Sequence, residues 1–478
     1  MRNDGTGMIS ERRLYASKHE LKVLAVVWLA SFLFSNSLFS IHVALPAIQR
    51  EFGSSLSAVQ WVGMIGFVMS SSLSLCFGRV GDLWGRVRLF QIGIVVYTVG
   101  SVLCALAVSL PQLLAFRVPM TVGLAMATPM VPAILASTYP LEKRGQVLGW
   151  QASAFAVGRT TGPTLGGILL YWDWRAIFLV NLVLGGLVSM ATFKVLDVDK
   201  LQKSEPFDFL GAILLLTGYP ALLVALSLGP RVGWQSTSIL FWSALSISGL
   251  FGFVVTELRA KRPLVRLSLF KNLPISSAML ALLLVSTALY PVFIFAPIYM
   301  RNVLGLSPFA LGLTMTAFPL LTAVFSPFSG YVSDHVSPRF VAALGLGLMF
   351  VGLLFYSRLG AQSTALAVGI ALALSGVGSG FFIPANQKVA FAAIKAEDYG
   401  ILSAMLISFG PAAGSIGTAF TTALIEATLA GGRSDNPISF ARAQQFAFSW
   451  LLPLALIALL VALVPVTSRR EPGRPPTR

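Results

Sequence analysis

Charge is what this 478-residue chain has least of. Asp, Glu, Lys and Arg make up 11% of it, against 56% hydrophobic residues, and its mean hydropathy is +0.81. A soluble domain carries about 25% charged residues, so the composition excludes one and describes a polytopic membrane protein. The two cysteines, Cys76 and Cys104, both lie in apolar segments and define no disulfide framework or metal site. Three histidines are too few for the usual multi-histidine metal site. No phosphate loop is present, so ATP is not expected as a direct energy source. Paired His/Asp motifs and a nucleophile beside a base are missing too. The chain is therefore read as no enzyme, with no cofactor and no metal.

Acidic residues number 18, and none falls deep in an apolar run. Asp208, Glu257 and Glu426 lie toward run ends, while Asp82, Glu142, Asp334, Glu397 and Asp398 fall in connections. The net charge of +16 would suggest nucleic acid in a soluble protein, but its distribution gives another reason for it. Apolar runs of about 20 residues, the length of a membrane span, occur at 23–45, 55–77, 88–108, 111–136, 145–170, 175–195 and 207–228. Seven more follow at 236–257, 274–299, 308–332, 338–357, 363–387, 398–427 and 446–467. The first run is too long for a cleaved signal peptide. An even count of fourteen puts both termini on one side, and a cytoplasmic placement sets 25 Lys/Arg inside. Outside stand Arg50, Arg175, Arg231, Arg301, Arg358, Arg433 and Arg442, and Arg117 and Arg159 fall within spans, away from the run ends. The basic excess is a topology signal, and no nucleic-acid partner is implied.

The chain repeats itself. Gly123, Pro129, Glu142, Gly145 and Gly162 recur 255 residues on as Gly378, Pro384, Glu397, Gly400 and Gly417, and Gly78-x-x-x-Asp82 recurs as Gly330-x-x-x-Asp334. Repeated halves put a substrate site near the midplane, between two bundles that rock against each other. The organisation read from this is a segment 1–22, a six-helix bundle 23–196, and a linker with two inserted helices at 197–271. A second bundle at 272–467 and a tail 468–478, suited to anionic headgroups, complete it. The stretch 149–167 adds a packing face, because Gly158, Gly162 and Gly166 share one side of a helix. Gly167 and Pro163 make it a local hinge, and Arg159 stands in its middle.

These motifs together resemble the major facilitator superfamily, and within it the fourteen-helix drug–proton antiporter branch, over about residues 25–465. Gly78-Arg-Val-Gly-Asp82-Leu-Trp-Gly85-Arg86-Val-Arg88 is similar to the family's signature loop between its second and third helices. Gly149 to Gly167 is similar to the antiporter motif of helix five, Arg117 to the helix-four arginine, and Val43-Ala-Leu-Pro46 to the end of helix one. Trp174-Arg175-x-x-Phe178-x-x-Asn181 fits the start of helix six. The resemblance implies two six-helix bundles plus two inserted helices, an all-α fold working by alternating access. It also implies export in exchange for protons, and a gating role for Asp82 with Arg86, of which Asp334 is a weaker copy. One departure stands out: the family's helix-one aspartate, nine residues before Pro46, is replaced by Ser37.

Each candidate residue has a plain structural alternative. Arg159 either holds an anionic group or pairs with backbone; intramembrane charge costs about 2.5–3.5 kcal/mol and is functional by default. Arg117 fits gating or coupling. His42 titrates near neutrality and could replace the missing aspartate as proton carrier, or it is a satisfied core histidine. Asn36 and Ser37 either hydrogen-bond substrate or pack helices. Trp150, Gln151, Tyr290 and Asn386 either line a central cavity or make ordinary interhelical contacts.

The expected function is secondary-active export of amphipathic small molecules (drugs, antibiotics or weak acids) by a monomer in the inner (cytoplasmic) membrane of the cell, both termini cytoplasmic. Two intramembrane cations and no deep carboxylate favour neutral or anionic substrates, with protons as the exchanged ion. The alternative is lipid or glycolipid movement without strict proton coupling. A membrane sensor or enzyme is a remote third reading.

Overall fold

The computed structural model describes residues 5–197, 208–260, 263–394, 399–429 and 436–463. Within them, side chains are outside the description at 5–17, 75, 82, 141, 142, 144, 145, 231 and 399–401. The gating carboxylate Asp82, the repeat pair Glu142 and Glu397, and the linker at 198–207 therefore lie outside the described residues and side chains.

All the regular structure among the described residues is helical. The first bundle comprises α1 (Gly5–Glu51), α2 (Leu56–Trp84), α3 (Arg86–Ala105), α4 (Leu110–Ala127), α5 (Met130–Thr138), α6 (Leu141–Leu169) and α7 (Arg175–Val195). Two further helices, α8 (Phe209–Val232) and α9 (Thr237–Arg259), precede a short 3-10 turn at Leu267–Lys271. The second bundle comprises α10 (Leu273–Asn302), α11 (Pro308–His335), α12 (Pro338–Ser357), α13 (Ala365–Phe391), α14 (Tyr399–Thr428), α15 (Pro437–Ser449) and α16 (Leu452–Leu463).

Each apolar run becomes a helix because lipid offers no partner for backbone N–H and C=O groups. Two of the runs are broken. Pro129, which lacks an amide proton, separates α4 from α5, and Pro453 falls in the first turn of α16 after a break from α15. Counting each broken pair as one crossing, thirteen described stretches are long and apolar enough to span a membrane. The fourteenth expected span is α6, 29 residues long but absent from that set. Its glycines, its threonines and Arg159 make it too polar for lipid on all sides, so its place is between other helices. Helix α1 continues unbroken back to Gly5, into the segment 1–22, where Arg, Lys and Leu are strong helix formers.

The repeat is visible as paired close contacts. In the first bundle a Cβ on Gly123 would sit 2.5 Å from the Gly93 carbonyl oxygen. In the second, a Cβ on Gly378 would sit 2.5 Å from the Gly345 carbonyl oxygen. Likewise Gly162 lies on the Asn36 carbonyl of α1, and Gly417 on the Thr287 carbonyl of α10. The same glycine in each half lets the same two backbones meet, as helices in lipid require. The inserted pair closes on itself through Gly218 and Gly249. It also docks on the second bundle, where the Tyr219 hydroxyl donates to the Ala412 carbonyl at 2.8 Å.

If each span crosses once, the ends of the spans fall on two faces. One, here the terminal face, carries the start of the first span, the α2–α3 turn and the end of α16. The other, the distal face, carries the α1–α2, α6–α7 and α10–α11 turns. At the α2–α3 turn Gly85 takes φ 98° and its N–H bonds the Gly81 carbonyl at 3.0 Å. That tight reversal needs glycine, as the signature loop leads one to expect.

Candidate functional site

The three small residues Gly158, Gly162 and Gly166 of α6 lie along α1. Added Cβ atoms there would reach the carbonyl oxygens of Phe32 at 2.5 Å, Asn36 at 2.9 Å and Ser40 at 2.9 Å. Asn36 closes this contact through its side-chain amide, which donates to Thr161 Oγ1 at 3.2 Å. Gly167 turns the other way. Its Cβ would stand 2.5 Å from the Pro308 carbonyl of α11, while a Cβ on Gly312 would stand 2.3 Å from the Pro163 carbonyl. Helix α6 thus packs on its own bundle with one face and on the opposite bundle with another. Pro163 is part of the inter-bundle contact.

Arg159 sits between those faces. Its guanidinium carbon lies 5.0 Å from the Phe39 ring centroid, a cation–π distance, and its Nε has no hydrogen-bond partner. Tyr290 of the second bundle is within electrostatic range. Arg117 is 2% exposed, with its Nη1 3.8 Å from Met120 Sδ and its guanidinium carbon 6.0 Å from the Phe178 centroid. It lies inside the first bundle, near Tyr97 and Cys104 of α3. Among the described residues neither arginine forms an ion pair.

Aromatic rings fill the seam between the bundles. Phe39 meets Phe293 at 5.8 Å, Phe293 meets Phe318 at 4.9 Å and Tyr290 at 6.0 Å, and Tyr290 meets Phe67 at 5.1 Å. His42 stacks on Phe67 at 5.5 Å and lies under Gly63, beside Ile294. The ring is 1% exposed, and neither nitrogen makes a well-formed hydrogen bond. The backbone of Leu38 and Phe39, in its own helix, is near the ring.

Nearer the distal face the two bundles are clasped by polar contacts. The Ser57 amide, in the first turn of α2, donates to Glu426 Oε1 at 3.0 Å. Gln60 accepts from the Thr422 hydroxyl, and Thr164 and Thr316 share a 2.7 Å hydrogen bond. Sequence reasoning placed Glu426 only as a carboxylate near a helix end. It is 6% exposed and caps a helix of the opposite bundle, where a carboxylate meets unpaired amides and the positive end of the helix dipole. A carboxylate near one span end opposite a serine-rich helix start was the available signal. The partner is a tertiary fact.

Other predicted residues fall elsewhere. Ser37 accepts from the Asn181 amide at 3.1 Å, inside the first bundle. Asn386 donates to the Ala278 carbonyl at 3.0 Å, inside the second. Trp150 is exposed and Gln151 half-buried, both toward the terminal-face end of α6. Asp334 pairs with Lys388, whose ammonium also donates to the Ser333 carbonyl at 2.7 Å. That pair is solvent-exposed and ties α11 to α13 within one bundle. Arg86 opens α3 directly after Gly85. The motif at 174–181 is an anchor: Arg175 Nη2 lies 2.8 Å from Glu51 Oε1, and the Trp174 indole donates to the same carboxylate.

The sequence matches the family model of the Major Facilitator Superfamily over residues 27–293 and 278–478. Among curated relatives, multidrug resistance protein Stp of Mycobacterium tuberculosis is 30% identical over 86% of this chain and 77% of its own length. Riboflavin transporter RibZ of Clostridioides difficile is 25% identical, covering 86% and 90%. The tetracenomycin C resistance and export protein of Streptomyces glaucescens is 27% identical, covering 79% and 71%. Among solved structures, a bacterial homologue of the human lysosomal transporter Spinster, inward-facing and unoccupied, superposes with a TM-score of 0.69 at 16% identity, over 93% of this chain and 96% of that one. With its paired bundles, its glycine-matched halves and a full-length family match, this chain belongs to the major facilitator superfamily.

Proposed function

We propose that this membrane transporter is a secondary-active exporter of amphipathic small molecules, of the fourteen-helix drug–proton antiporter branch. It takes neutral or, preferentially, anionic substrates between the bundles at Arg159 and exchanges them for protons carried by His42. It works as a monomer in the inner membrane with the terminal face in the cytoplasm. The carrying observation is the state of Arg159: a guanidinium at the seam, on an aromatic face, with Nε unsatisfied and no described carboxylate against it. An unpaired cation at that depth is costly, and a substrate anion would offset the cost. The relatives named for drug resistance and for tetracenomycin export support the direction and substrate class.

The packing supports alternating access. The clasp at Ser57–Glu426, Gln60–Thr422 and Thr164–Thr316 holds the distal side shut, with the aromatic cluster beneath it. Substrate entering from the terminal face meets Arg159 below that plug. Parting of the clasp would open the route to the distal side.

Proteoliposome transport of 2-naphthoate and its neutral analogue 2-naphthamide tests the reading. A charge-assisted hydrogen bond contributes about 1.5–3 kcal/mol, so Arg159→Ala should lower naphthoate transport roughly tenfold or more and change the amide little. Equal loss for both, or loss for neither, would remove Arg159 as the anion contact.

A further inference from the structure

The two halves treat one repeat position in opposite ways. Gly162 and Gly417 are equivalent, resting on the carbonyls of Asn36 and Thr287, so Arg159 corresponds to Gly414 and Phe39 to Tyr290. In the first half, Arg159 covers the Phe39 ring at 5.0 Å. In the second half nothing projects from position 414, and Tyr290 takes the room: a Cβ on Gly414 would stand 2.3 Å from Tyr290 Cγ. Even alanine is excluded unless that ring moves. Phe67 at 71° and Phe293 at 90° hold the ring from other sides. The site therefore has a cationic wall from one bundle and a fixed aromatic wall from the other.

We infer that Gly414, by seating Tyr290, sets the substrate selectivity of this site, so that the preferred cargo is an anion whose charge is carried on a flat aromatic body. The acidic end lies toward Arg159 and the ring system toward Tyr290. Aromatic walls alone would also suit organic cations. Here a guanidinium occupies one of those rings, and no described carboxylate is paired with it. An aliphatic acid would satisfy the arginine but leave the aromatic wall without a ring partner. This inference rests on the reading of Arg159 as the anion contact, and the two are tested by different comparisons.

The experiment measures proteoliposome transport of 2-naphthoate, the aliphatic acid decanoate and neutral 2-naphthamide. Ring–ring contact adds enough to favour naphthoate over decanoate by roughly three- to tenfold in the wild type. Tyr290→Leu, which keeps apolar bulk but removes the ring, and Gly414→Ala, which displaces it, should both erase that preference. Both should keep the preference of acid over amide, and Tyr290→Phe should keep both preferences. A wild type indifferent to naphthoate against decanoate would overturn the inference, as would an intact preference in Tyr290→Leu. The naphthoate-to-naphthamide ratio in Arg159→Ala tests the anion contact separately, so a failure there is not confused with a failure here.

Discussion

Arg117, Arg159 and His42 are basic side chains whose burial at lipid depth is incompletely compensated. A buried charge or imidazole normally finds a carboxylate, a carbonyl or water, yet Arg117 Nε, Arg159 Nε and both His42 nitrogens go without a hydrogen bond. Gly63 and Phe67 of its own bundle and Ile294 of the opposite one close over the His42 ring, so the proposed proton exchange there requires that packing to loosen. Among the described residues, Arg117 of α4 is the cation that acts on the imidazole. Replacing His42 with Gln keeps polarity and approximate volume but removes the titratable ring that the proposed exchange requires. If the proposed proton exchange runs through His42, an imposed pH gradient should stimulate naphthoate transport several-fold in the wild type, and His42→Gln should lose that stimulation while retaining downhill transport. An undiminished gradient response in that variant would assign the proton to another group.

At the scale of helices, α6 and α11 meet backbone to backbone between the bundles. Gly312 and Gly167 bring the two backbones together across the bundle boundary, while Gly158, Gly162 and Gly166 join α6 to α1 within one bundle. Bulk at position 312 should therefore pry the distal side open without unpicking either bundle. In a protein lacking Cys76 and Cys104, a reporter Ile294→Cys is shut inside the seam. Adding Gly312→Val should raise its labelling by a maleimide applied from the distal side several-fold. Gly347→Val serves as control, because its Cβ would enter open space. Equal labelling in the two variants would show that this contact does not govern opening. The helices themselves were legible in the sequence because each must carry about 20 apolar residues, and the repeat because its glycines share a spacing. The breaks before Met130 and Leu452 were not read, although Pro129 and Pro453 mark them. Hydropathy also left open where a helix's polar side goes: that Asn36 and Ser37 serve bundle packing, and that Glu426 caps α2 across the seam, depends on which helices become neighbours.

The whole molecule is polarised by its arginines and lysines. Arg50 ends α1, Arg175 begins α7, Arg301 ends α10 and Arg358 follows α12, all on the distal face. Of these, Arg175 is committed to Glu51 and to the Ala107 carbonyl, so it serves as an anchor and contributes little to topology. The terminal face carries most of the remaining basic residues, the asymmetry that the proposed cytoplasmic placement of that face requires under the positive-inside rule. Helix α12 offers a compact test, because Ser337 precedes one end and Gln362 follows the other, both exposed. In a background free of Cys76 and Cys104, Gln362→Cys should react with a membrane-impermeant maleimide on intact cells, and Ser337→Cys only after lysis. Reversed labelling would put the distal clasp in the cytoplasm. Opening of that clasp would then load substrate, and the same Arg159 site would belong to an importer.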